Sequence, residues 1–151
     1  ALQGALSVQK SLDVNGSGTF SGALSAGQIT ASSLQLNGDL TLTHHITCGG
    51  FIPSRSNGSA LGSVGTASVS GSDSAGSITI NTGSGAGAGC FVTINFTQKF
   101  HATPHVLITP VGSAAGGIGY YVNRSTSNFS VCTTTTPPAS QTFGFDYLVL
   151  D

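Results

Sequence analysis

Few side chains in this sequence can do chemistry, and their spacing excludes most of what they could do. The five acidic groups are all aspartates, Asp13, Asp39, Asp73, Asp146 and Asp151, and none is paired with another in sequence. The two facing carboxylates of glycoside hydrolysis therefore have no candidate pair. Serines are abundant, but no Gly-x-Ser-x-Gly turn followed by Asp and then His supplies a hydrolase triad. The run Gly83-Ser-Gly85-Ala-Gly87-Ala-Gly89 has the look of a phosphate-cradling loop. It lacks the following Gly-Lys-Ser/Thr, and no helix opens after it, so it reads as a flexible hairpin tip. The sequence points to a protein that is not an enzyme.

Histidine and cysteine leave more room. His44 follows Leu40-Thr41-Leu42-Thr43, and strict alternation puts it on the same face as both leucines, with His45 on the other. If three chains share an axis, three copies of His44 meet near it, where a metal or an anion can sit among the imidazoles. A packed or solvated histidine is the competing reading, because His-His on a strand offers fewer nitrogens to the axis than His-x-His does. His101 and His105 have the i, i+4 spacing of a helical metal pair, but Pro104 between them points to a turn followed by a strand. The three cysteines, Cys48, Cys90 and Cys132, leave one unpaired within a monomer. Alternation places Cys90 and Cys132 on opposite faces, so a bridge between them needs a bulge or a strand end. Cys48 is free to meet Cys90 or its own symmetry mates, and three free thiols fit the spacing as well.

Recognition chemistry concentrates in two adjacent segments, Gly116-Gly117-Ile118-Gly119-Tyr120-Tyr121 and Asn123-Arg124-Ser125-Thr126-Ser127-Asn128. Tyr120 and Tyr121 offer flat faces and hydroxyls, while Asn123, Arg124 and Asn128 supply hydrogen-bond donors for a polar ligand. The alternative is that Tyr120 and Val122 are core residues and Tyr121 is an interface residue. The Asn-x-Ser/Thr triplets at Asn15, Asn57, Asn95, Asn123 and Asn128 arise by chance in so Ser/Thr-rich a chain.

The elements that position these residues are β-strands throughout. Of the 151 residues only 6% are charged, 38% are hydrophobic, 22 are glycine, and Trp and Met are absent, a composition folded rather than disordered but poor in helix formers. The net charge of −1 and the scattered Lys10, Arg55, Lys99 and Arg124 give no basic stripe, which excludes nucleic acid as a partner. No apolar run reaches the length of a membrane span. The start at Ala1-Leu2-Gln3 carries neither Met nor a signal peptide and suggests a piece of something longer.

Two grammars divide the chain. Residues 1–48 are a fibrous β-repeat, in which Leu12-Asp13-Val14-Asn15-Gly16 returns as Leu34-Gln35-Leu36-Asn37-Gly38. Each copy is a strand-like alternation running into Asn-Gly, a pair suited to a tight hairpin turn. Such a segment has one thin apolar stripe and cannot cover it alone, so it predicts partner chains. Residues 49–65 read as a linker, because Pro53 and Asn57-Gly58 break any period. Residues 66–151 carry seven strands, at 67–69, 77–81, 90–96, 105–111, 119–124, 129–135 and 143–150, predicting an antiparallel β-sandwich head. Val92, Ile94, Phe96, Val106, Ile108, Phe129, Val131, Phe143, Phe145, Tyr147 and Val149 form the candidate core between the sheets. Leu107, Val111, Leu148 and Leu150 point the other way and predict a second contact, between subunits.

The phrases Leu-x-Val-Asn-Gly, Phe-Ser-Gly-x-Leu and Leu-Asn-Gly-Asp-Leu-Thr-Leu resemble the repeats of phage tail fibres and tailspikes and of large bacterial surface proteins. That resemblance implies three identical chains wound together over a common core. From Val69 onward the chain resembles the terminal β-sandwich domains of phage and bacterial surface proteins. Phe96-Thr-Gln-Lys-Phe100, Pro104-His-Val106, Phe129-Ser-Val131 and the closing aromatic strand are also similar to the H-type lectin pattern, small trimeric sandwiches that bind sugar. Together these imply an all-β homotrimer, an intertwined stem carrying a sandwich head, at the distal end of a tail fibre or receptor-binding protein. Its partners would be a host-surface glycan or receptor and upstream virion or filament proteins, and its location the virion or the cell surface. A purely structural subunit of an extracellular filament, decoration or stalk is the alternative.

Overall fold

The structure, a computed structural model, describes residues 8–151. It divides into two compact units, Ala1–Thr41 and Leu42–Asp151. In the first, residues 8–41 form no strand and every residue is exposed. Leu12 is 66% exposed, Phe20 70% and Leu34 70%, so the apolar stripe is uncovered in the single chain. The physical reason is plain: a period-two segment needs a neighbour for its N–H and C=O groups and a surface for its stripe. The Asn-Gly pairs do bend the backbone, and Gly16 takes a φ of +147° while its N–H donates to the Val14 carbonyl at 3.0 Å. No strands pair across either bend.

The second unit contains eight strands in two antiparallel four-stranded sheets. They are β1 (Ser54–Asn57), β2 (Thr66–Gly71), β3 (Ala75–Asn81), β4 (Gly89–Asn95), β5 (His105–Val111), β6 (Tyr120–Arg124), β7 (Asn128–Thr133) and β8 (Thr142–Leu150). The first sheet runs β1-β4-β7-β6 and the second β2-β3-β8-β5. A five-residue helix α1 (Gly112–Gly116) follows β5 and buries Ala115. All seven strands expected from the sequence are present; β1 is the addition.

That strand falls in the segment expected as a linker. Its sequence, Ser-Arg-Ser-Asn, is exposed along its whole length, so no apolar alternation announces it. Pairing to the edge of β4, from Ser54 opposite Asn95 to Asn57 opposite Val92, makes it a strand. Directly after it, the 3-10 turn Ser59–Leu61 buries Ala60 and Leu61 in the core. The glycine run is also repositioned. It connects β3 in one sheet to β4 in the other and so is a crossing between layers, not a hairpin tip.

Aromatic rings knit the layers together. Phe91 meets Phe143 at 5.4 Å, Phe129 meets Tyr147 at 5.3 Å, and Tyr120 meets Phe145 at 5.1 Å, each pair joining opposite sheets at tilted or edge-on angles. Ile78, Ile80, Val92, Ile94 and Val131 fill the space between them, each no more than 1% exposed. The Tyr147 hydroxyl is buried and donates to the Ser72 carbonyl at 2.6 Å. Burial, reinforced by the nearby Asp73 charge, pushes its pKa from 10.0 up to about 12.

A bulge in β4 decides the cysteine question. Cys90 sits opposite Cys132, yet Val92, not Phe91, sits opposite Val131. The extra residue, Phe91, breaks the alternation, so Phe91 and Val92 are both buried and Cys90 is returned to the face of Cys132. The two cysteines form a disulfide, and Cys48 is free and exposed.

Candidate functional site

Alternation along β6 separates the residues that the sequence grouped. Tyr120 and Val122 pack against the core, and the Tyr120 hydroxyl donates to the Ile108 carbonyl at 2.8 Å. Arg124 has the same parity. Its guanidinium donates to the Pro104 carbonyl at 2.6 Å and lies 3.2 Å from His105 Nδ1, tying the end of β6 to the other sheet. Tyr121 and Asn123 alternate to the opposite side and are exposed.

Strand register extends that outer surface into a grid. One row is Ser54, Asn95 and Asn128; the next is Ser56, Thr93, Ser130 and Asn123; the third is Cys90, Cys132 and Tyr121. The Thr93 and Ser130 hydroxyls are 2.7 Å apart, and the Asn123 amide points at Cys132 Sγ from 3.8 Å. Asn128 is also part of the tight turn before β7, where its N–H and carbonyl are both within hydrogen-bond reach of Ser125 Oγ, at 3.1 Å and 3.2 Å. The face is therefore uncharged, rich in amides and hydroxyls, and ends in one aromatic ring that is 41% exposed. Such a surface suits a ligand that presents hydroxyls and a flat apolar side.

The other sheet shows a different outer face. Leu107 sits directly opposite Leu148 and His105 opposite Leu150. Leu107 is 52% exposed, Val111 46%, Leu148 40% and Leu150 51%, an apolar strip along the edge strand β5 and its neighbour β8. Farther along β8 the face turns polar, with Ser77 donating to Asp146 at 2.6 Å.

A cavity of about 300 Å³ opens at the β2–β3 turn and is lined chiefly by Phe51, Asp73, Ser74, Gln98, Lys99 and Phe100. The turn is built for its shape. Gly71 takes a φ of +102° where a Cβ would collide with Ala75, and Ser72 Oγ accepts the N–H groups of Ser74 and Ala75. This sets Asp73 facing the β4–β5 loop, where its two oxygens accept the N–H groups of Thr97 and Gln98, each at 2.8 Å.

No family model, curated protein or solved structure matches this chain. The chemistry of these surfaces therefore rests on their geometry. His44 lies in the strand-free stretch before β1 and is exposed. Among the described residues no three His, Cys, Asp or Glu side chains converge on a metal position. His101 is in the turn before β5 and His105 at its first residue. The cavity residues lie outside the two segments, 116–121 and 123–128, in which the sequence concentrates recognition chemistry. The sequence signal there is the phrase Phe96-Thr-Gln-Lys-Phe100, which supplies Gln98, Lys99 and Phe100 to the cavity, with the Phe96 and Phe100 rings meeting edge-on at 4.8 Å.

Proposed function

We propose that this chain is the distal part of a homotrimeric, non-enzymatic surface appendage of the phage tail-fibre type, whose heads attach to glycans or another receptor on a host surface. The observation that carries this reading is the apolar surface left uncovered in one chain. It includes the stripe through Leu12, Phe20, Leu34 and Leu40, and the strip formed by Leu107, Val111, Leu148 and Leu150. Both are rows of apolar side chains at exposed positions, and both are covered when copies of the same chain wrap the stem and pack the heads.

In this arrangement the amide-and-hydroxyl grid around Tyr121, Asn123 and Asn128 faces outward on each head. Three weak contacts held on one stem add through effective concentration, so a firm grip needs no deep pocket. His44 from three copies meets near the stem axis, where it can hold a metal or an anion. Upstream virion or filament proteins complete the assembly on the outside of the particle or cell.

One observation favours the alternative of a purely structural subunit. Arg124 is engaged internally with Pro104, and Thr93 and Ser130 bond to each other, leaving fewer free donors for a ligand. Light scattering on the full chain tests the assembly: three times the 15.0 kDa protomer mass is expected, and a stable monomer sinks the reading. A glycan array then separates attachment from structure, since Tyr121→Ala should weaken any bound signal, and an array with no signal favours the structural subunit.

A further inference from the structure

The cavity at the β2–β3 turn has the makings of a ligand site distinct from the strand face, and its chemistry selects the ligand. We propose that it binds a single neutral pyranose ring. Its volume of about 300 Å³ lies at the small end of ligand pockets, room for one ring and not for an oligosaccharide. Phe51, which is 81% exposed, and the half-buried Phe100 furnish apolar walls of the kind that cover the C–H face of a sugar.

The polar groups suit the hydroxyl edge of the same ring. Each Asp73 oxygen already accepts one backbone N–H, which leaves about half of the carboxylate's acceptor capacity for hydroxyl donors. Those same bonds hold the carboxylate still before any ligand arrives, so little rotamer freedom is lost on binding. Gln98 brings an amide that both donates and accepts, Lys99 brings three N–H donors, and Ser74 a hydroxyl. One carboxylate and one ammonium balance, so neither an anionic nor a cationic ligand gains an advantage. A ring with an apolar face and a hydroxylated rim uses every one of these groups. A bare hydrocarbon would use only the phenylalanines and strip water from the rest.

The test is saturation-transfer NMR on the full chain with glucose, galactose, mannose, N-acetylglucosamine and N-acetylgalactosamine as separate probes. Transfer to at least one of them is expected, with affinity falling about tenfold in Gln98→Ala or Lys99→Ala as one hydrogen-bonding group is removed. Both side chains are exposed, so the fold should survive, and an unchanged melting curve checks it. Ser140→Ala, an exposed position in the β7–β8 loop, should leave the signal intact. No transfer to any of the five sugars overturns the proposal, and so does an affinity that is unchanged from the wild type in both pocket variants. Resonances of residues 97–100 that respond to protein dilution but not to sugar would show a second copy in the cavity and also overturn it. This measurement needs no host surface and no trimer, so its failure is distinguishable from failure of the attachment reading.

Discussion

The Cys90–Cys132 disulfide should contribute a large fraction of the stability of the sandwich, and its size follows from topology. The two cysteines face each other on neighbouring strands, but the chain between them leaves for the other sheet, passes through β5 and α1, and returns by β6. The sequence separation is therefore 42 residues. For a loop of that length the chain-entropy model gives about 4 kcal/mol of destabilisation of the unfolded state at room temperature. A domain of this size has a total stability on the order of 5–15 kcal/mol, so the reduced protein should be folded but far weaker. The assay is urea unfolding of a Cys48→Ser chain, with and without a reductant, at one fixed protomer concentration so that assembly does not shift the midpoint. The Cys48→Ser background prevents thiol exchange from the one free cysteine. With a slope of about 1–3 kcal/mol per molar urea, the midpoint should fall by roughly 1.3–4 M on reduction. Coincident midpoints would refute the argument, as would three titratable thiols in the denatured, unreduced wild-type chain where one is expected.

Tyr147→Phe should cost about 1–2 kcal/mol, because it leaves the Ser72 carbonyl without its donor, and urea midpoints near neutral pH measure it. The same residue sets an alkaline limit. Its phenol is neutral in both states below 10.0, so its contribution is fully present there; as pH rises from 10.0 towards about 12 the unfolded chain ionises first and stability is lost. Midpoints followed through that window should decline less steeply in Tyr147→Phe than in the wild type. Phe91→Ala should destabilise by about 3–5 kcal/mol as a buried-ring deletion, although alternation from Val92 would place residue 91 outside; a loss under about 0.5 kcal/mol in the same unfolding assay would mean the bulge is absent.

Much of the sandwich is readable in the sequence, because a strand buried on one face must repeat every second residue. Phe143, Phe145, Tyr147 and Val149 could only share a face, and they line the core. The same rule put Leu107 and Leu148 outside, where they are found. The candidate site was less legible. Tyr120, Tyr121, Asn123 and Arg124 are neighbours in sequence, and alternation sends them to two different sides of the sheet. Asp73, Gln98 and Lys99 are not neighbours at all, and only the folding of the β2–β3 turn against the β4–β5 loop makes them one surface.

What the sequence alone determined is local in origin: β-structure, from its β-branched and turn residues; the strand faces, from period two; and the absence of a paired-carboxylate motif, from an inventory of five separated aspartates. What tertiary structure decided is non-local. The bulge at Phe91 has no signature in its own residues, because a bulge is a mismatch in count between two strands, and it alone brings Cys90 onto the face of Cys132. β1 is likewise a strand only because β4 offers it an unpaired edge, and no pattern within Ser54–Asn57 could announce a partner that lies more than thirty residues away.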